Sequence, residues 1–278
     1  MSRSPHHLIA LAGELEKEGQ YIIAKLLRSA ATSAINRSST KSQVPVSPEG
    51  QAEVLREIAD GIGDSNAAAL VGPLRAAATS LDSGSVPLYV DTPDPLVCRI
   101  CGFVSLGPSA GRCPECGRWS TTAEPFKAIY WLRASSPPET TALLSTTPAE
   151  IEAILRSGDP TRPGPDGGWS AHQTLEHLQN AQGVFRGRID QLIAGGEPEL
   201  VSVLVWRMDG SADDTNALFE AYRSLRNEIV EVLSSVEADA WWNRGHHEEF
   251  GTVTLAEQAS YFANHEPTHL AQLADALS

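Results

Sequence analysis

Scarce cysteine, scarce basic charge and the lack of any long apolar run set the first limits on this chain. Only four cysteines occur among 278 residues, and all four fall within the 19-residue stretch Cys98–Cys116. A secreted scaffold stapled by disulfides spreads a denser set along its length, so that class is excluded and the clustering points to metal. Lysine and arginine number 21 against 35 aspartates and glutamates, a formal net charge of −14. Such a surface repels phosphate backbones. No local patch reverses this: the densest basic stretch, Arg223–Arg226, is flanked by Glu220 and Glu228 and reads as a solvated helix face. No nucleic-acid partner is expected. No apolar run reaches the roughly 18–20 residues that span a bilayer, which excludes a membrane-spanning role. The N-terminal apolar stretch meets Glu14 and Lys17 too soon for a secretory signal, so a cytoplasmic location is expected.

What is present is mostly helical pattern. A chain of this length accommodates about two domains with ample core. Residues 5–35 carry a broken apolar stripe and frequent alanine, which predicts helix. Ser47 and Pro48 form a helix-start signal, and a second helical region runs to about Leu81 with a break near Gly61-Ile62-Gly63. Together these predict an N-terminal helical hairpin, or three helices, within residues 1–94. From Ala128 onward four amphipathic segments follow: Pro137–Arg156, Ser170–Ala194, Asp213–Val236 and Thr254–Leu277. Their length and periodicity predict a four-helix bundle over residues 127–278. The connections 157–169 and 237–253 are long, and long connections often line a site.

Between these regions, residues 95–126 contain Cys98-Arg-Ile-Cys101-Gly and Cys113-Pro-Glu-Cys116-Gly, two C-x2-C knuckles separated by eleven residues. Glycine after each second cysteine (Gly102, Gly117) supplies the positive φ that such a turn needs. Four thiolates in a tetrahedron suit zinc or a single iron. The segment resembles the rubredoxin-like module of rubrerythrins, and zinc ribbons more broadly, through the two knuckles, the Gly107-Pro108 turn and the closing Phe126. That resemblance implies electron transfer if iron is bound and a purely structural clip if zinc is. A rubrerythrin-type di-iron centre needs two Glu-x-x-His pairs. This chain has one, Glu266 and His269, and the N-terminal Glu14, Glu16 and Glu18 have no histidine at the required spacing.

The last third carries three histidines arranged as metal ligands. His265 and His269 are four residues apart, so on a helix they point to one side, one turn apart. His177, from another helix, would complete a set of three nitrogen ligands with a coordination position left open, the pattern of a reactive site. Pro267 lies between the two ligands of the last helix and is expected to kink it. His172, His246 and His247 are read as ordinary polar residues, the latter two in a polar loop that borders the pocket at most. His6 and His7 are given no role.

Residues from about 135 to 278 resemble the DinB-like (YfiT-like, thiol S-transferase) family of metal-binding four-helix bundles. The matching pieces come in the family's order: Gly168-Trp169-Ser170, Glu176-His177-Leu178, Phe250 to Leu255, and His265 to Leu273 including Gln272. The resemblance implies His177, His265 and His269 as ligands of a divalent metal (zinc, nickel or iron). It also implies a transferase or isomerase that uses a low-molecular-weight thiol on a small electrophile. Trp169, Trp241, Trp242 and Phe250 are expected to shape the pocket, and no general base is assignable. Two other readings stand beside this one: a redox or sensor protein with an iron tetrathiolate, and a non-catalytic adaptor with a structural zinc. Homodimerisation is compatible with such a bundle, though no sequence feature requires it.

Overall fold

The computed structural model describes residues 4–17, 20–39, 47–107, 111–127, 135–203, 205 and 214–278. Pro108 of the expected turn and Asp213 at the expected start of the third bundle helix lie outside them. The fold is mainly α and divides into two compact units, Met1–Phe126 and Lys127–Ser278. Among the described residues, no helix is long and apolar enough to cross a membrane.

The first unit holds helices α1 (Pro5–Lys17), α2 (Tyr21–Ser39), α3 (Pro48–Gly61) and α4 (Val71–Ser83). Where the sequence implied a helical hairpin or three helices, the described residues hold four, paired α1 against α2 and α3 against α4. The apolar stripe of residues 5–35 is shared between two helices, α1 and α2. Ser47 caps α3 as its sequence implies, its hydroxyl accepting from the Gly50 amide at 3.2 Å with Pro48 in the first turn. The cysteine segment forms a small antiparallel sheet of order β2-β1-β3, from β1 (Pro95–Cys98), β2 (Val104–Leu106) and β3 (Ala123–Pro125). Both hairpins reach it. Arg28 and Arg99 share the Glu16 carboxylate, Arg28 also donates to the Arg99 carbonyl, and the Val104 amide donates to the Asn66 carbonyl.

The second unit is the four-helix bundle: α5 (Pro137–Leu155), α6 (Ala171–Ala194), α7 (Thr215–Ser234) and α8 (Leu255–Leu277). Each start is fixed by local chemistry. Ser170 accepts from the Gln173 amide while Gln173 accepts from the Ser170 amide, and Thr254 and Glu257 make the same reciprocal pair at α8. Asp214 caps α7 through the Asn216 and Ala217 amides. Helix α8 packs on α5 and α6, and α7 packs on the same two. The consecutive helices α5 and α6 therefore face each other across a diagonal, a step that requires a long connection. The second long connection is not an open loop. It contains a short 3₁₀ turn (Ala238–Trp242) and two strands, β5 (Arg244–His247) and β6 (Gly251–Thr254). With β4 (Glu199–Leu200) they form a sheet of order β4-β5-β6.

Two apolar clusters fill the bundle. One joins Leu144, Phe185, Ile189, Ile229, Leu233 and Phe262, and the other joins Ile151, Leu175, Leu178, Leu218 and Leu273. Between them lies a polar layer. Arg226 and Glu266, both 0 % exposed, form a two-pronged ion pair. Arg226 Nε donates to Gln182 Oε1 at 2.8 Å, its Nη1 donates to the Leu144 carbonyl at 3.2 Å, and the Tyr222 hydroxyl donates to Glu266 at 2.9 Å. Arg226 is therefore not part of a solvated face, as its acidic neighbours implied. It stands four residues after Tyr222 and three before Ile229, on the buried side of α7. Burial works against its charge, but the Glu266 carboxylate raises its pKa and keeps it a cation.

Replacing Arg226 alone leaves Glu266 charged and unpaired in the core, which costs about 3–5 kcal/mol. In denaturant melts we expect Arg226→Met to lose that much and Arg226→Met/Glu266→Leu to lose distinctly less. Equal or additive losses would contradict the assignment of the pair as the coupled element.

Candidate metal centres

The cysteine cluster is built from two copies of one turn. In the first, the Cys98 amide donates to the Phe103 carbonyl and the Gly102 amide to the Cys98 carbonyl; in the second, Cys113 pairs with Arg118 and Gly117 with Cys113 in the same way. Gly102 (φ 77°) and Gly117 (φ 69°) sit in the left-handed region, as the knuckle requires. The four Sγ atoms all lie within 4.8 Å of one another. Cys98–Cys116 and Cys101–Cys113 are each separated by 3.7 Å. A disulfide would need about 2.05 Å. Four sulfurs placed tetrahedrally, each about 2.3 Å from one ion, stand about 3.8 Å apart. The donor set and spacing thus fit a tetrahedral thiophilic metal. Burial pushes the Cys101 thiol up to about 12. At Cys98 burial is outweighed by hydrogen bonds from the Cys101 and Ile100 amides and from Thr122, which bring it down to about 6.

The histidine cluster forms between α6 and α8. His177, His265 and His269 each present a ring nitrogen within 4.8 Å of the others. The Nε2 of His265 is 3.5 Å from that of His177 and 2.9 Å from that of His269. Tetrahedral ligation at about 2.0–2.1 Å sets nitrogens about 3.3 Å apart, between these two values. His269 Nδ1 donates to Gln272 Oε1 at 2.9 Å, which leaves its Nε2 lone pair for the shared point. Burial lowers the pKa of all three, aided by neighbouring rings at His177 (to about 4) and His265 (to about 3). Near neutral pH the rings are therefore uncharged and able to act as ligands. Helix α8 runs through Pro267 without a break in its span.

A cavity of about 280 Å³ opens beside this cluster, with His177 and His265 in its wall. Of the aromatics expected there, Phe250 lines the cavity and Trp169 lies against the His177 ring at 5.4 Å. Trp241 belongs to the apolar core, and Trp242 is exposed because it occupies the outward side of the 3₁₀ turn. His172 is held instead by Thr215 and Glu176. His246 and His247 lie on β5, not in a loop. The two-residue alternation of a strand turns His246 outward and buries His247 at the cavity wall. Gly245 lets this strand close in, since a Cβ there would stand 2.9 Å from Leu192 Cδ2. Arg188 and Gln258 also line the cavity. Neither stood out in sequence, although Gln258 shares the α8 face of His265 at a spacing of two turns.

Residues 137–273 match the family model described as the DinB superfamily. No curated protein matches the chain. A solved structure, described as that of YfiT from Bacillus subtilis, "a probable metal-dependent hydrolase with an unusual four-helix bundle topology", is 16% identical with a TM-score of 0.46. The alignment covers 55% of this chain and 90% of that one. On the family match, the C-terminal half of this protein, residues 137–273, is a DinB superfamily domain.

Proposed function

We propose that the C-terminal domain is a metal-dependent transferase or isomerase in which a low-molecular-weight thiol attacks a small electrophile. The observation that carries this reading is the convergence of three neutral imidazole nitrogens, two of them on residues in the wall of a cavity sized for a small molecule. The DinB resemblance supports the choice of a thiol as second substrate. His177, His265 and His269 would hold a divalent cation, zinc, nickel or iron. Once bound, that cation supplies a Lewis acid and favours the thiolate form of a coordinated thiol. The chain's own residues do the rest. Gln272 fixes the His269 tautomer, the layer around Glu266 sets the rotation of α8, and Phe185, Phe250 and Phe262 give the cavity an apolar wall. The four cysteines would hold a second metal, zinc as a clip or iron as an electron carrier.

We expect two metals per chain by elemental analysis. His265→Ala/His269→Ala and Cys98→Ser/Cys101→Ser should each lose one of them independently. A red protein with ferric charge-transfer bands identifies iron at the cysteines and favours the redox reading, and a colourless one identifies zinc. Conjugation of cysteine to a model electrophile should depend on the histidine-bound metal. Turnover that survives in the histidine variant, or that proceeds equally well without thiol, overturns the proposal.

Acid offers an independent check. In the unfolded chain the imidazoles titrate near 6.5. In the fold, His177 and His265 bind protons only near 4 and 3. Protons thus favour the unfolded state, so stability that is full above about pH 6.5 is lost progressively as pH falls toward 3. Denaturant melts of chelator-treated protein between pH 7 and pH 4 should show this decline, and His265→Gln should make it shallower. Stability that rises on acidification would contradict the burial of these rings.

A further inference from the structure

The cavity beside the histidine cluster has a second chemical end. Along α6, His177 and Arg188 are eleven residues apart, about 16 Å of helix. On α8, Gln258 and His265 are seven residues apart, about 10 Å. The histidines therefore mark one end of the space, and Arg188, His247 and Gln258 mark the other. Two of these residues present buried polar atoms that have no partner among the described residues: His247 Nε2 and Gln258 Oε1. Both residues are 1 % exposed, and both line the cavity. An unsatisfied buried donor or acceptor is costly, and its presence in a cavity wall points to a ligand that completes it.

The character of that ligand follows from the donors. His247 Nδ1 accepts from the Glu249 amide at 3.1 Å. Its other nitrogen must then carry the proton, so Nε2–H is a buried donor on a residue of the cavity wall. Arg188 lies close enough to depress further the pKa of the buried His247 ring. Its Nη2 donates to the Val201 carbonyl at 2.8 Å, and among the described residues no carboxylate comes within 4.0 Å of it. Burial lowers the Arg188 pKa, and the nearby Tyr261, Glu249 and Glu248 only partly offset that effect. The two acidic neighbours are engaged by Ser202: Glu248 accepts from its amide at 2.7 Å, and Glu249, which also lines the cavity, accepts from its hydroxyl.

We propose that Arg188 and His247 form a carboxylate-binding subsite at the end of the cavity away from the three histidines. The substrate is then a small molecule with an apolar body, a carboxylate remote from the reacting atom, and an N–H or O–H group that donates to Gln258. This deepens the metal-dependent reading and rests on it for the term substrate, but the anion site itself needs no metal. A guanidinium and an imidazole N–H together give paired donors for a carboxylate, and Phe185, Phe250 and Phe262 supply the apolar wall.

The test uses phenylacetate as probe, with phenylacetamide and phenethylamine as its neutral and cationic counterparts. Binding is followed by calorimetry on the full chain, both chelator-treated and zinc-loaded. We expect phenylacetate to bind in both forms and in preference to its counterparts. Arg188→Gln should weaken it by roughly ten- to a hundredfold, as for hydrogen bonds to charged groups, and His247→Phe by roughly tenfold. Arg188→Lys, which keeps the charge, should recover part of the loss and so separate binding from folding. Equal binding of phenylacetate and phenylacetamide, preference for phenethylamine, or no effect of either single variant overturns the subsite. The metal content of the His265→Ala/His269→Ala variant is read separately. Its failure to drop would sink the metal reading while leaving the carboxylate measurement intact.

Discussion

The buried Arg226–Glu266 pair is the constraint on which the bundle and its site both depend. One guanidinium ties together all four helices: Glu266 on α8, Gln182 on α6, the Leu144 carbonyl on α5, and its own α7. Apolar packing alone tolerates helices that slide or rotate by small amounts, because burial is non-directional. A two-pronged charged pair in a dry core does not, because each lost contact exposes an uncompensated charge. The pair therefore fixes the rotation of α8 more tightly than its leucines and alanines would.

That rotation decides whether the histidines meet. Glu266 is the residue after His265 and lies three before His269. When its carboxylate is locked inward, the imidazoles of its neighbours are directed toward α6 and His177. The same stratum separates the two apolar clusters, so the ring nitrogens converge where the bundle is already polar. Placing ligands at this level avoids the cost of opening a wholly hydrocarbon core to a cation. The cavity follows from the same geometry: Gln258 lies two turns along α8 from His265, and Arg188 three turns along α6 from His177.

How much of this could be read in the sequence depended on whether the signal was local. Helix starts at Ser47, Ser170 and Thr254 were legible because a cap is made by residues within three positions. The cysteine knuckles and the histidine pair on α8 were legible for the same reason, their spacing being imposed by a turn of backbone. His177 was reached through the family pattern, not through distance along the chain. Arg226 is hidden from a local reading because its near neighbours are acids typical of a solvated face, whereas its partner is forty positions away on another helix. His247 has no such local mark, because its polar segment reads as a loop in sequence. Only the pairing of β5 with β4 and β6 shows that alternate residues face opposite ways. The N-terminal apolar stripe likewise gave helix correctly but not the number of helices, since periodicity does not mark where a chain reverses.

Gly245 sets how closely β5 approaches α6. It carries no functional group, and it makes no contact with the histidine cluster. Yet the space where a methyl group would go is filled by Leu192 and by the Pro198 carbonyl. Substitution there would lift β5 from α6 and carry the imidazole two residues downstream away from the cavity. In a survey of variants this silent position would behave like a chemical one. Its intolerance would report how closely the wall must approach for the pocket to exist.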